Sequence, residues 1–167
     1  MDPIIFLLLT SSFRFLFVFA AQSPATSSRI SVFGVVYCDV CSTNTFSKQS
    51  YFLPGVEVHI ECKFKAISPK SNEQMNLSVN RTTGEDGVYK LDVRSVDGVN
   101  CSDGPAIVSF CQASLIGSPS SPTCNVPLIK TASNKISVKS KQGNLCTLSL
   151  DALTYRPYKI NTTLCGI

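Results

Sequence analysis

Two groupings in this sequence have residue types and spacing that could do chemistry: the pair Cys38 and Cys41, and the lone histidine His59 flanked at alternate positions by Glu57 and Glu61. A Cys-x-x-Cys pair acts as a redox dithiol when one thiolate is stabilised at a helix start or by a neighbouring cation. Here the pair follows a strand-like run, no helical pattern comes after it, and Asp39 between the cysteines would raise a thiol pKa. The spacing therefore predicts structural bridging. As half of a zinc site the pair lacks a second close Cys or His pair, and the chain has one histidine, so no metal is expected. His59 falls in the water-facing register of its strand, and no Gly-x-Ser-x-Gly nucleophile motif accompanies it. Glu57 and Glu61 are neighbours along that strand and not a facing pair of carboxylates, so a glycosidase site is not supported. No phosphate-binding glycine loop occurs. These residues predict no enzyme and no cofactor.

Modification and charge say more. Four acceptor sequons, at Asn76, Asn80, Asn100 and Asn161, are N-glycan candidates in an exported chain. Asn76 or Asn80, together with Asn161, are the expected occupied sites, because the first two are close and Asn100 precedes a cysteine. The net charge is +4 and unevenly placed. From residue 125 onward Lys130, Lys135, Lys139, Lys141, Arg156 and Lys159 stand against the single acid Asp151, whereas residues 21–124 are close to neutral. A basic region of this kind suits an acidic partner such as a polyanionic polysaccharide. A solvated surface that keeps the chain soluble is the plainer reading.

The elements that carry these residues read as β throughout. Phe33 to Cys41 is a strand running into the cysteine pair, with Gly34 marking a bulge or a close backbone approach. After the turn Leu53-Pro54-Gly55, the residues Val56, Val58, Ile60, Cys62 and Phe64 alternate with polar ones, predicting a strand with one face in a core and one in water. Leu77 and Val79 mark a further strand. The turn Thr83 to Gly87 followed by the alternating run Val88 to Val93 predicts a hairpin. Ala106 to Leu115, Ile136 to Val138 and Leu145 to Leu150 add short strands, and Thr154 to Cys165 is expected to be extended. About seven short strands between Gly and Pro turns predict an all-β, antiparallel sandwich or partly open barrel.

Eight cysteines, Cys38, Cys41, Cys62, Cys101, Cys111, Cys124, Cys146 and Cys165, imply a disulfide framework and an oxidising compartment. The apolar runs Ile4 to Leu9 and Phe15 to Ala20 fit a signal peptide cleaved after Ala20, giving a leader over 1–20 and one domain over 21–167. Arg14 in mid-run would cost a membrane anchor about 2.5 to 3.5 kcal/mol, so no membrane attachment is expected after cleavage.

With these residues in place, the chain resembles the pollen Ole e I allergen and extensin family of secreted plant cell-wall proteins. The likeness is carried by Gly34-Val35-Val36-Tyr37-Cys38-Asp39-Val40-Cys41, by Pro54-Gly55-Val56 leading to Cys62, by Thr83 with Gly87 and Tyr89, and by Cys111 through Ser118-Pro119 to Cys124-Asn125. Phe33 before the glycine and Ser42 after the second cysteine depart from the family pattern. The resemblance implies a transthyretin-like or immunoglobulin-like sandwich with bridges Cys38–Cys124, Cys41–Cys165 and Cys62–Cys111. Cys101 and Cys146 are then left to pair with each other.

The resulting expectation is a secreted, monomeric, non-enzymatic cell-wall protein that binds acidic wall polysaccharide or a wall glycoprotein and no nucleic acid. Its contact would run through Lys130, Lys135, Lys139, Lys141 and Lys159. The alternative is a small extracellular protease inhibitor, presenting Lys48 or Lys70, or a ligand carrier. Lipid carriers with eight cysteines need an adjacent Cys-Cys and helices, which this sequence lacks.

Overall fold

The computed structural model describes residues 28–66, 74–96, 107–133, 137–142 and 145–166. Among them the chain forms β1 (Ser28–Cys38), β2 (Tyr51–Phe52), β3 (Glu57–Ala66), β4 (Gln74–Thr82), β5 (Val88–Val96), β6 (Ile107–Leu115), β7 (Val126–Ile129), β8 (Thr131–Ser133), β9 (Ser137–Gln142), β10 (Leu145–Ser149), β11 (Leu153–Arg156) and a single-turn helix α1 (Thr162–Cys165). The architecture is all-β, with two sheets and no closed barrel. One sheet runs β4-β3-β6-β8; the other joins β7, β11, β1, β10 and β9 as successive neighbours, with β2 and β5 also bonded to β1.

β1 is the strand on which the larger sheet is built. The Val36 N–H donates to Gly87 and its carbonyl accepts from Leu53, so β5 and β2 share one side of β1. The Phe33 carbonyl accepts from Leu150 and the Asp39 N–H donates to Tyr155; both are odd-numbered positions, so β10 and β11 lie end to end along the other side. Both run parallel to β1. The sheet is therefore mixed where strand-by-strand reading predicts antiparallel pairing, because the chain visits the smaller sheet at β6 and again at β8 before β10 and β11 reach β1.

Alternation builds the core. Ile30, Val32, Val36 and Cys38 of β1 face Val58, Ile60, Cys62 and Phe64 of β3, joined by Tyr89, Leu91, Leu148, Leu153 and Tyr155. Each large aliphatic or aromatic side chain so buried contributes about 1.5 to 3 kcal/mol. Gly34 is the close approach its position predicts: it pairs with Tyr89 across the β1–β5 ladder, and a Cβ there would overlap the tyrosine's hydroxyl end.

Two expectations are corrected. The predicted hairpin at 83–87 is a corner between sheets, since β4 pairs with β3 while β5 pairs with β1. Thr83 decides this. Its N–H donates to Val56 and its carbonyl accepts from Gly55, while its buried hydroxyl donates to the Leu53 carbonyl at 2.7 Å and accepts from the Val56 N–H at 2.9 Å. Gly87, at φ +68°, then brings β5 onto β1, where a Cβ would lie 2.6 Å from the Val36 carbonyl. The tail predicted to stay extended instead ends in α1. The Asn161 side chain caps its start by accepting from the Leu164 N–H, and Gly166 closes it in the left-handed region. No helix among the described residues is long and apolar enough to cross a membrane.

Candidate functional site

Among the described residues the cysteines are structural. Cys38 bonds to Cys124, Cys41 to Cys165 and Cys62 to Cys111, which are the three bridges the resemblance implies. Cys62 and Cys111 face each other across the β3–β6 ladder, and the other two tie the end of β1 to distant parts of the chain. Cys101 and the side chain of Cys146 lie outside the described residues, and with them the expected fourth bridge.

His59 sits on the outer face of β3, and its side chain is 29% exposed. Its Nδ1 donates to Asn80 Oδ1 at 2.7 Å, while Nε2 is 3.2 Å from Ser78 Oγ and 3.3 Å from Glu61 Oε1. The bond to Asn80 is the main reason its pKa is raised, with Glu61 adding to it. Serine, histidine and glutamate thus meet, but both the hydroxyl and the carboxylate occupy Nε2. A relay for acyl transfer puts the acid on the opposite nitrogen. Among the described residues no three Asp, Glu, His or Cys side chains converge as metal ligands.

The sequons Asn76 and Asn80 are both exposed on the outward face of β4, and Asn161 is exposed at the start of α1. Each engages its amide through Oδ1: Asn76 accepts from Gln74, Asn80 from His59 and Asn161 from Leu164. An N-linked sugar would be carried by Nδ2 of the same amide. Asn100 lies outside the described residues.

Among the described positions, 139 and 141 on β9 and 130 just past β7 fall along one edge of the larger sheet, and at Lys130 the chain turns to the smaller sheet, its carbonyl accepting from Leu115 of β6. β7 and β9 are the outermost strands of the larger sheet beyond β11 and β10, on the same side of β1. Lys141 is level with Ile30 through Cys146, and Lys130 follows Ile129, which is level with Tyr37 through Thr154. The two positions are therefore about 20 Å apart along the strand axis. Lys139 is the bulged residue of the β9–β10 ladder, and Lys159 lies beyond the far end of β11. Lys130 and Lys159 are exposed; Lys135 and the side chains of Lys139 and Lys141 lie outside the described residues. Of the inhibitor candidates, Lys48 is exposed and Lys70 is outside the description.

One constellation was not anticipated from sequence. The stretch Ser42 to Tyr51 reads as a polar connection, yet it presents Phe46, whose ring stacks on Phe52 at 5.1 Å and meets Tyr37 edge-on at 5.0 Å. The loop is held by Asp39, a fully buried acid between the two cysteines. Its carboxylate accepts from the Asn44 N–H at 2.7 Å and from the Thr43 hydroxyl. That carboxylate also adds to burial in raising the Tyr37 pKa. Ser42 and Asn44 adopt positive φ to complete the turn, and a Ser47–Ser50 pair closes its far end. The available signal was an isolated phenylalanine in an otherwise polar run.

With this geometry established, comparison with solved structures finds the crystal structure of the major plantain pollen allergen Pla l 1, at a TM-score of 0.50 and 22% identity, covering 80% of this chain and 98% of that one. The two proteins share a fold. In sequence, the chain is similar to a pollen-specific protein-like protein of Arabidopsis thaliana, 28% identical over 93 residues. The match takes in 56% of this chain and 46% of the relative, so the aligned region spans about half of that protein. No family model matches.

Proposed function

We propose that this chain is a secreted, non-enzymatic plant cell-wall protein that binds acidic polysaccharide. The observation that carries the reading is the alignment of the basic positions 141, 139 and 130 along one sheet edge, with Lys159 beyond it. An extended polyanion can lie along such an edge and displace counterions from several lysines at once. Three disulfides suit export to an oxidising compartment, the likeness to a pollen-specific protein-like protein of Arabidopsis favours a role in plant tissue, and the exposed sequons Asn76, Asn80 and Asn161 are the glycan sites of that setting.

The test is retention on de-esterified pectin. The wild type should be held at low salt and released as salt rises, and the variant with Lys130, Lys135, Lys139, Lys141 and Lys159 all changed to Gln should elute early. Equal elution of the two removes the reading. A different role for the same residues is favoured by Lys139 itself, because a lysine at a bulge on an outermost strand is a common guard against edge-to-edge pairing. In that case the variant would aggregate while pectin retention stayed unchanged. A protease-inhibition panel covers the inhibitor alternative, for which Lys48 on the loop braced by Cys41 is the presented residue.

A further inference from the structure

Beside the basic edge, a hollow of about 370 Å³ opens between the end of β1 and the β7–β8 run, with Tyr37, Asn44, Thr131 and Asp151 in its lining. Tyr37 of that lining also meets Phe46 edge-on, and Phe46 stacks on Phe52, the two rings being 52% and 44% exposed. We propose that this combined surface binds a neutral hexopyranose residue of a polysaccharide chain.

Three observations select that ligand. The exposed aromatic pair favours a partner with an apolar face, since scattered single hydrophobes are ordinary but two exposed rings stacked beside a residue of the lining are not. The lining supplies an amide, a hydroxyl and a carboxylate, which a purely apolar partner would leave without hydrogen bonds. Among the described residues of that lining Asp151 is the only formally charged one, so an anionic ligand would be repelled at the point where the basic edge attracts one. A pyranose ring meets all three conditions, with carbon-bound hydrogens on its face and hydroxyls on its rim. The volume is near the lower end of small-molecule sites, roughly 300 to 1,000 Å³, which suits one sugar residue.

The loop presenting Phe46 is also prepared in advance. Asp39 fixes the Asn44 backbone, the Thr43 and Thr45 hydroxyls lie 3.0 Å apart, and the Cys41–Cys165 bridge anchors the loop's start. A ligand that meets a braced aromatic loses little of its binding energy to ordering it. The proposal shares with the preceding section only the expectation of a saccharide partner, and its chemistry does not draw on the basic edge.

The experiment is an amide NMR titration of the full disulfide-bonded protein with cellohexaose, xyloglucan heptasaccharide and galactotetraose, each to about 10 mM, where a millimolar complex is mostly formed. At least one sugar should shift the amides of Asn44, Phe46, Phe52 and Thr131, with little change on adding salt. Phe46→Ala and Asp151→Asn, both at exposed positions, should each weaken that binding tenfold or more while leaving the rest of the spectrum in place. The five-lysine variant should bind the neutral sugar as the wild type does, even where it has lost pectin. Absence of shifts with all three sugars, or shifts that survive Phe46→Ala undiminished, overturns the proposal. Loss of pectin retention alone counts only against the basic edge.

Discussion

The side chain of Tyr89 lies over the main chain of Gly34, its cross-strand partner, and fills the space a Cβ at that position would need. The tyrosine is fully buried, and its hydroxyl has no hydrogen-bond partner among the described residues. Burial, with a smaller contribution from the Asp151 carboxylate, pushes its pKa far above the usual tyrosine range. Gly34→Ala should therefore destabilise the fold by about 1 to 3 kcal/mol, as overpacking does in a core. Tyr89→Phe removes only an unpartnered oxygen and should be neutral or stabilising. In the Gly34→Ala background the same change should recover part of the loss, giving a favourable coupling in a denaturant-unfolding cycle. Additive effects would mean that the two residues do not press on each other.

Thr83 offers a second test, on the corner between the sheets. Thr83→Val keeps the shape but strips the acceptor from the Val56 N–H and the donor from the Leu53 carbonyl, both made by a buried hydroxyl. The expected cost is about 1 to 3 kcal/mol for each group left unsatisfied. Thr83→Ser keeps both bonds and should lose far less. Urea midpoints for the two variants decide the matter, and equal losses would show that the methyl group matters and the hydroxyl does not.

The same residue shows where sequence reading reaches and where it stops. Alternation located β3 and β5 because a half-buried strand imposes a period of two on its own residues. It could not say which strand β5 would join, since that depends on Thr83 bonding a segment some thirty residues earlier. Gly34 was legible as a close approach, but its partner Tyr89 was not. The pairing of cysteines came through resemblance, as their spacing alone leaves the connectivity open. Phe46 was hidden because its setting is polar and its neighbours Tyr37 and Phe52 belong to two different strands. The line of lysines was legible as composition and not as geometry, because β9 and β7 become one edge only when β10 and β11 run end to end along β1.

The Cys41–Cys165 bridge spans 124 residues and ties α1 to the loop that presents Phe46. Replacing both cysteines by serine should cost about 2 to 5 kcal/mol of stability. The effect should also be local. Hydrogen exchange should rise first over residues 40–46 and 157–166, while the amides of β3 and β6 keep their protection, because Cys62–Cys111 holds those strands separately. Uniform loss of protection across both sheets would contradict this division of labour.

His59 carries the pH dependence that can be read most directly. Its pKa is raised above 6.5, first by the bond to Asn80 and then by Glu61. A raised folded-state value means that the protonated imidazole is favoured by folding. Its contribution is fully present below the unfolded value and is lost as pH rises through the folded one. Between about pH 5 and about pH 8 the bond from Nε2 to Glu61 should weaken as the charge leaves, and the resonances of Ser78 and Glu61 should move with the imidazole. Asn80→Ala and Glu61→Gln should each lower the His59 pKa, the bond to the amide being the largest single cause. An NMR titration of the single histidine in the wild type and both variants reads the two drops directly, and a value unmoved in either variant would remove that partner as a cause.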